Sequence, residues 1–475
     1  MVFSSVIFLV YFLPIFLTIY FLVPKSFKNP VLLLSSIFFY AWGAPLFIFA
    51  ILLTTTVDFY FVKLLNNAAD DKKRKLWLIL SLSLNVGMLF YFKYCNFFIE
   101  NVNAILNAAG IQEVSWTKVV LPIGISFYTF ESITYVVDVY RRLHKPLDNF
   151  WQYQLYIICF PKLIAGPIIR YHEISDQIAD RSANDTIDNK LTGFYRFCLG
   201  LGKKVLIANV MAAKADEIFN MPTNELTTSL AWLGMLAYTF QIYFDFSGYS
   251  DMALGIGKMI GFKFPENFDN PYTSKSITEF WRRWHMTLGS WMKNYLYIPL
   301  GGNKVESKTR LYFNLWLVFL ASGFWHGAAW TFIIWGIYHG FWLVLERMFL
   351  ADVYKKIGKL ASTLICFVLV AIGWVFFRAD TTAGAFNFVQ QLFTFNFKTP
   401  PRFVDSEFLF YFMLAVLFSF FASFKIGQRI QNTVYYSYYG NLGNLLATVV
   451  AISLFTLSLA SITSSGFNPF IYFRF

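Results

Sequence analysis

Residues 322–330 read SGFWHGAAW and stand at the edge of a long apolar run. The chain thus carries an ionisable imidazole, His326, into a stretch that otherwise has the composition of a membrane segment. Its small neighbours Gly327, Ala328 and Ala329 leave the ring approachable, where bulky ones would pack it in. An ionisable group at membrane depth is costly and points to function. Imidazole can take a proton from a hydroxyl near neutral pH, and burial favours its neutral, basic form. The competing reading is a histidine hydrogen-bonded to nearby backbone, and the functional reading is preferred to it.

Working outward from His326, 57% of the 475 residues are hydrophobic and only 14% are charged, against about 25% charged in a soluble domain. The predicted fold class is therefore an all-α polytopic membrane protein. A span needs about 20 mostly apolar residues. Candidates lie at 2–23, 30–43, 44–65, 76–98, 119–140, 150–168, 227–250, 311–328, 330–350, 360–377, 407–424 and 443–465, so about 11–12 transmembrane helices are expected. The first stretch has no basic flank and no small-residue cleavage site, and reads as a retained span. The basic loops PKSFKN (24–29), DDKKRK (70–75) and RRLHK (141–145) follow spans one, three and five. The positive-inside tendency then places both termini outside the cytoplasm. The net charge of +12 is accounted for by such loops and implies no nucleic acid. No short repeat and no match between halves is evident, which argues against an inverted-repeat transporter. Cys95, Cys159, Cys198 and Cys366 lack C-x-x-C spacing and read as small buried hydrophobes.

The chain is read as a single integral membrane domain, residues 1–475. It comprises N-terminal spans (1–145), a catalytic core (146–345) and C-terminal spans (346–475). Residues 146–310 hold most of the Gly, Pro, Asp and Arg set in apolar surroundings. Irregular polar backbone at membrane depth survives only where protein buries it or water reaches it. Re-entrant and in-plane helices around a cavity are expected there.

Within that core, SITEFWRRWHMTLGSWM (276–292) starts with Ser276 as N-cap and Glu279 three residues on, a capping box. Trp281, Trp284, His285, Leu288 and Trp291 then recur at helical spacing and predict one aromatic face. Arg282 and Arg283 point away from it, towards the cytoplasmic end or an interior anion. In YIPLGGN (297–303), Pro299 and the Gly301–Gly302 pair end the helix. An ordinary turn is expected there, with exposed amides for a phosphate or an oxyanion as the alternative. Asp245 and Asp251 in FDFSGYSD (244–251) are expected to pair with Arg282, Arg283 or Lys258, in slight preference to catalysis. His144 reads as solvated, and His339 stands evenly between helix packing and a supporting role. With no H-x-x-x-H or H-E-x-x-H pattern, no metal site is expected. With no G-x-S-x-G, nothing favours a serine hydrolase.

Taken together, SGFWHGAAW, FWRRWHMTLGSWMKNYLYIPLGGN (280–303), YFDFSGYSDMALG (243–255), LPIGISFYTFESITYVVDVYR (121–141) and FPKLIAGPIIRY (160–171) resemble the membrane-bound O-acyltransferase (MBOAT) superfamily. The likeness is closest to its bacterial branch, typified by the alginate O-acetyltransferase membrane subunit, and runs in order to the closing NPFIYFRF (468–475).

This resemblance implies a ring of spans around a thinned centre crossed by a funnel or tunnel. It makes His326 the catalytic histidine and His285 the second important one. It implies an acyl group taken from a cytoplasmic thioester and delivered to a hydroxyl at or beyond the outer face. A separate periplasmic acetyltransferase partner often completes transfer to an extracytoplasmic polysaccharide. One departure is Asn209 in LGLGKKVLIANV (199–210), where the family pattern leads one to expect aspartate.

The expectation is thus an O-acetyltransferase of the bacterial inner membrane, with acetyl-CoA or another acyl thioester as donor substrate and no tightly bound cofactor. Lys275, Arg282, Arg283 and Lys293 are expected to meet the donor phosphates. Trp281, Trp284, Trp325 and Asp245 are expected beside the substrate, and His326 as general base. Asn294, or the amides near Gly301, is expected to face the oxyanion. The alternatives are D-alanyl or lipid acyl transfer, or a transporter or flippase using His326 and Asp245 as gating groups.

Overall fold

The computed structural model describes residues 1–397 and 404–470, and its regular elements are helices with no strand among the described residues. The IYFRF of the closing motif lies outside the described residues. Five helical stretches are long and apolar enough to cross a membrane: Phe47–Asn67, Asp71–Ala108, Trp330–Arg378, Ser406–Ser423 and Asn441–Ser465. These absorb six of the twelve predicted spans, because Trp330–Arg378 joins two of them across a break at Gly358, whose φ is 84°. The first predicted span is a shorter apolar helix, Ile7–Leu22. Two others are helices outside these five, Thr228–Met259, interrupted by Asp245 and Asp251, and Lys308–His326, whose first turn is polar. The predicted span 150–168 is not one helix. It ends at Ile158, turns at Cys159 and resumes only as Phe160–Leu163, since Pro161, Gly166 and Pro167 cannot sustain a helical ladder.

The chain forms two compact units. The first comprises Met1–Thr186 with Ile260–Phe264. One apolar centre there is Phe160, edge-on to Phe12 at 5.3 Å and to Phe16 at 5.1 Å. Two of its buried carboxylates are paired: Asp58 accepts from Asn85 (3.1 Å), Tyr153 (2.8 Å) and Ser81, and Glu131 is bonded by Lys162.

The second unit comprises Ile187–Met259 with Pro265–Phe475. Its spine is the 32-residue helix Thr228–Met259, crossed by Ile187–Gly202. Glycines spaced by seven face one another across the crossing, Gly193 against Gly255 and Gly200 against Gly248. A Cβ on Gly200 would lie 2.5 Å from the Gly248 carbonyl oxygen, so only glycine permits this approach. The same crossing decides the ion pairs. Asp251 is held by Arg196 (2.9 Å) and Lys203 (2.6 Å), and Asp245 by Lys204 (2.9 Å). The predicted partners Arg282, Arg283 and Lys258 are replaced by cations that the close-packed neighbour presents directly. Arg283 instead pairs one turn back with Glu279 (2.7 Å). Asn209, in the place of an expected aspartate, accepts from Lys204 at 2.8 Å and so joins the Asp245 pair as a neutral member.

Candidate active site

Lys308–His326 and Trp330–Leu345 form a tight helical hairpin joined by three residues. Gly323 and Gly336 let its arms touch: a Cβ on Gly323 would lie 2.3 Å from the Phe332 carbonyl oxygen. His326 is the last helical residue before the Gly327 cap, and it is buried. Its ring meets Trp325 at 4.8 Å, Phe377 at 5.1 Å and Trp335 at 5.2 Å.

The predicted continuous helix through 276–291 is broken. The Ser276 cap is present, accepting from the Glu279 amide, but the Glu279 carboxylate returns to the Lys275 amide (2.9 Å). Helix Ile277–Arg283 then ends at an extended Trp284, and Met286–Trp291 starts after His285, whose φ of 45° and ψ of 54° are left-handed. The cause is tertiary. In a continuous helix the Thr287 amide would bond the Arg283 carbonyl. Here the Asp269 amide takes that carbonyl (2.9 Å), while the Met286 amide bonds the Asn267 carbonyl (2.9 Å) and the Thr287 amide the Asn267 side chain.

His285 is buried, with Nδ1 3.0 Å from Asn267 Oδ1 and its ring edge-on to Phe246 at 4.6 Å. Burial holds this imidazole down at about 3, so it is neutral at ordinary pH.

Both histidines line one cavity of about 230 Å³. Trp281, Trp284 and Leu288 form apolar wall, so the aromatic face keeps its destination despite the break. Exposed Arg282, Lys293 and Arg347 supply positive charge. Arg347 escaped the sequence reading, although its place just beyond an apolar run in LVLERMF was a usable signal. Asn267, in NFDNP, escaped because its target lies eighteen residues on.

Other predicted site residues lie off the cavity wall. Trp325 sits behind it, 6.3 Å from His285 and in contact with His326, so that one indole touches both imidazoles. Asn294 donates to the Ser290 carbonyl (2.8 Å), Lys275 is exposed, and Arg283 and Asp245 are in the pairs described. The amides of Gly301 and Gly302 are spent on the Ile298 and Tyr297 carbonyls, at 3.0 and 2.9 Å. That is the ordinary turn, and it removes these amides as oxyanion donors. His339 is fully buried and packs on Trp281 at 4.9 Å. Among the described residues no cluster of His, Cys, Asp and Glu forms a metal site.

The family model described as MBOAT, membrane-bound O-acyltransferase family, matches residues 140–356, which include both histidines and the whole cavity lining. The probable alginate O-acetylase AlgI of Azotobacter vinelandii is 40% identical over the full length of both chains. The chain belongs to the membrane-bound O-acyltransferase family. The peptidoglycan O-acetyltransferase of Helicobacter pylori is 38% identical over 83% of this chain and 80% of its own. The teichoic acid D-alanyltransferase of Streptococcus thermophilus is 31% identical over 50% of this chain and 59% of its own. This MBOAT protein is therefore an integral membrane acyltransferase, and its cavity with two histidines falls inside the segment that defines the family.

Proposed function

We propose that this chain is an O-acetyltransferase that takes acetyl from acetyl-CoA, or a related short-chain thioester, on the cytoplasmic side of the bacterial inner membrane. It passes the group on for O-acetylation of an extracytoplasmic polysaccharide, directly or through a periplasmic partner protein. The observation that carries this reading is that His326 and His285 share one largely apolar cavity with Arg282, Lys293 and Arg347. The cations suit the phosphates of a nucleotide thioester, and the apolar wall suits its acyl end. The two relatives named for alginate and peptidoglycan O-acetylation support acetyl as the group and a polysaccharide as acceptor.

In this mechanism His326 takes the proton of an incoming hydroxyl as its oxygen attacks the thioester carbonyl. That attack forms the ester C–O bond; collapse of the tetrahedral intermediate re-forms the carbonyl and breaks C–S, and the thiolate takes the proton from the His326 imidazolium to leave as free thiol. General-base help of this kind is worth about 10²–10⁴-fold. None of the four free cysteines lines the cavity, which favours direct transfer over a thiol-bound acyl-enzyme.

The test is free CoA release from acetyl-CoA by protein in liposomes, with acceptor polysaccharide and periplasmic partner added. Wild type should turn over, and His326→Ala, eluting identically in detergent, should lose activity by at least about 10²-fold. Full activity in His326→Ala would overturn the base assignment. A second reading, D-alanyl transfer from a carrier thioester, is favoured by the S. thermophilus relative; turnover with that donor and none with acetyl-CoA would establish it instead.

A further inference from the structure

We infer that Asn267 is a positioning residue that locks His285 in a single tautomer, with the proton on Nδ1 and the Nε2 lone pair available to a substrate N–H or O–H. The inference rests on the acyl-transfer reading above and deepens it.

Four contacts carry the argument. The Thr287 backbone amide, which can only donate, points at Asn267 Oδ1 (3.4 Å), and the Thr287 hydroxyl donates there too (2.9 Å). The Asn267 amide nitrogen donates to Ser250 Oγ at 3.0 Å. The side-chain amide is therefore oriented without reference to histidine: the atom facing His285 Nδ1 at 3.0 Å is the carbonyl oxygen, an acceptor. Nδ1 must then carry the proton, and in the neutral ring Nε2 is a lone pair.

Nε2 is buried and makes no hydrogen bond within the described residues, although His285 lines the cavity. A buried acceptor left without a donor is costly, and so is left-handed backbone at a residue other than glycine. His285 carries both. A substrate hydrogen-bond donor reaching Nε2 would satisfy the first. The same tautomer excludes neutral His285 as the donor to a developing oxyanion, a role the sequence had left open for other groups in this segment.

The charged and titratable groups around this pair are His326, Arg282, Lys293, Arg347 and Tyr297 on the cavity side, and Asp251, Glu266, Arg196, Lys203 and the phenols of Tyr243, Tyr435 and Tyr436 around the small polar cleft lined by Asn267. Asp251, Glu266, Arg196 and Lys203 are joined in one ion network. Helix Thr228–Met259, which carries Asp251, also adds the Phe246 ring at 4.6 Å and the Ser250 hydroxyl.

The experiment measures kcat and KM for CoA release from pH 5 to pH 9 with Asn267→Leu, Asn267→Asp, and Asn267→Asp in a His285→Gln background. Asn267→Leu frees the tautomer and should lower kcat about 10- to 100-fold with KM little changed, as when second-nitrogen partners of ligating histidines are removed. Asn267→Asp keeps an oxygen to accept from Thr287 and His285 but adds a negative charge that favours the imidazolium. Its rate should approach wild type at pH 8 and fall on the acid side, where the Nε2 lone pair is lost to protonation. In the His285→Gln background this additional loss on the acid side, beyond the limb that protonation of the His326 base gives wild type, should vanish. Because Asn267→Asp is isosteric, keeps the oxygen facing His285 and leaves Ser250 free to turn its hydroxyl and donate, it carries the test even if Asn267→Leu does not fold. An Asn267→Asp profile superimposable on wild type, or the same extra acid-side loss on Asn267→Asp in the His285→Gln background, would overturn the positioning role while acyl transfer stands. No thioester turnover by wild type would overturn the reading on which it rests, and this inference with it.

Discussion

Replacing Gly323 by alanine adds one methyl group one turn before His326, in the contact of the helical hairpin. The new Cβ would stand 2.3 Å from the Phe332 carbonyl oxygen and 3.1 Å from both Gly336 Cα and its amide nitrogen, where ordinary contact begins at 3.4 Å. Backbone cannot rotate aside as a side chain can, so the two arms must part by about 1 Å, and overpacking of this kind costs about 1–3 kcal/mol. The displacement reaches His326 through rigid helix, and a misplacement of about 1 Å at a reacting group costs on the order of 10² in rate. The expected result is a lower melting midpoint in detergent and a kcat for CoA release reduced about 10²-fold, with KM for the donor nearly unchanged. Gly289→Ala is the control. It lines the same cavity, but its Cβ would meet only the Trp281 carbonyl oxygen at 3.5 Å, so it should melt no lower than wild type. Gly323→Ala with wild-type rate and midpoint would refute the claim that hairpin contact sets the position of His326.

Lys204→Met removes the ammonium from Asp245 in a pair whose side chains are 2% and 3% exposed. The expected loss is about 3–5 kcal/mol, seen as poor yield of monodisperse protein; Lys204→Met with Asp245→Asn should recover much of it. Arg347→Ala should raise KM for acetyl-CoA about 5-fold with kcat retained, since an exposed charge contact is worth about 1 kcal/mol. The effect should shrink in high salt, and an unchanged KM would remove Arg347 from donor binding.

Much of the site was legible because it rests on local signals. Ser276 caps its helix through the Glu279 amide as its spacing implied, and Trp281, Trp284, His285 and Leu288 reach the same cavity as His326. What stayed hidden depends on partners distant in sequence. The break at Trp284–His285 is made by residues 267–269, whose backbone and side chain take the hydrogen bonds that helix continuation needs. The sequence offers Arg282, Arg283 or Lys258 as partners for Asp245 and Asp251, but the Gly193–Gly255 and Gly200–Gly248 crossing brings Arg196, Lys203 and Lys204 to them instead. That crossing did leave a trace, glycines seven apart in both GFYRFCLG (193–200) and GYSDMALG (248–255). Hydropathy found the long apolar helices and over-extended the 150–168 run, because it does not weigh Pro161, Gly166 and Pro167.

The two histidines share a feature that bears on how this site works. Each sits where a helix stops, His326 as the last residue before an extended Gly327 and His285 in a left-handed turn between two short helices. A residue inside a helix is placed by its own ladder, whereas one at a break is placed by whatever satisfies the released backbone groups. For His285 that is Asn267 and Asp269, and for His326 the hairpin contact at Gly323 and Gly336. Trp325, touching both imidazoles, ties the two breaks together. The cavity geometry is therefore a tertiary property, held by a few non-local contacts instead of by helix propensity. Changes that loosen the 267–269 loop should consequently impair turnover before they lower the melting midpoint, whereas changes on the exposed long helices should do the reverse.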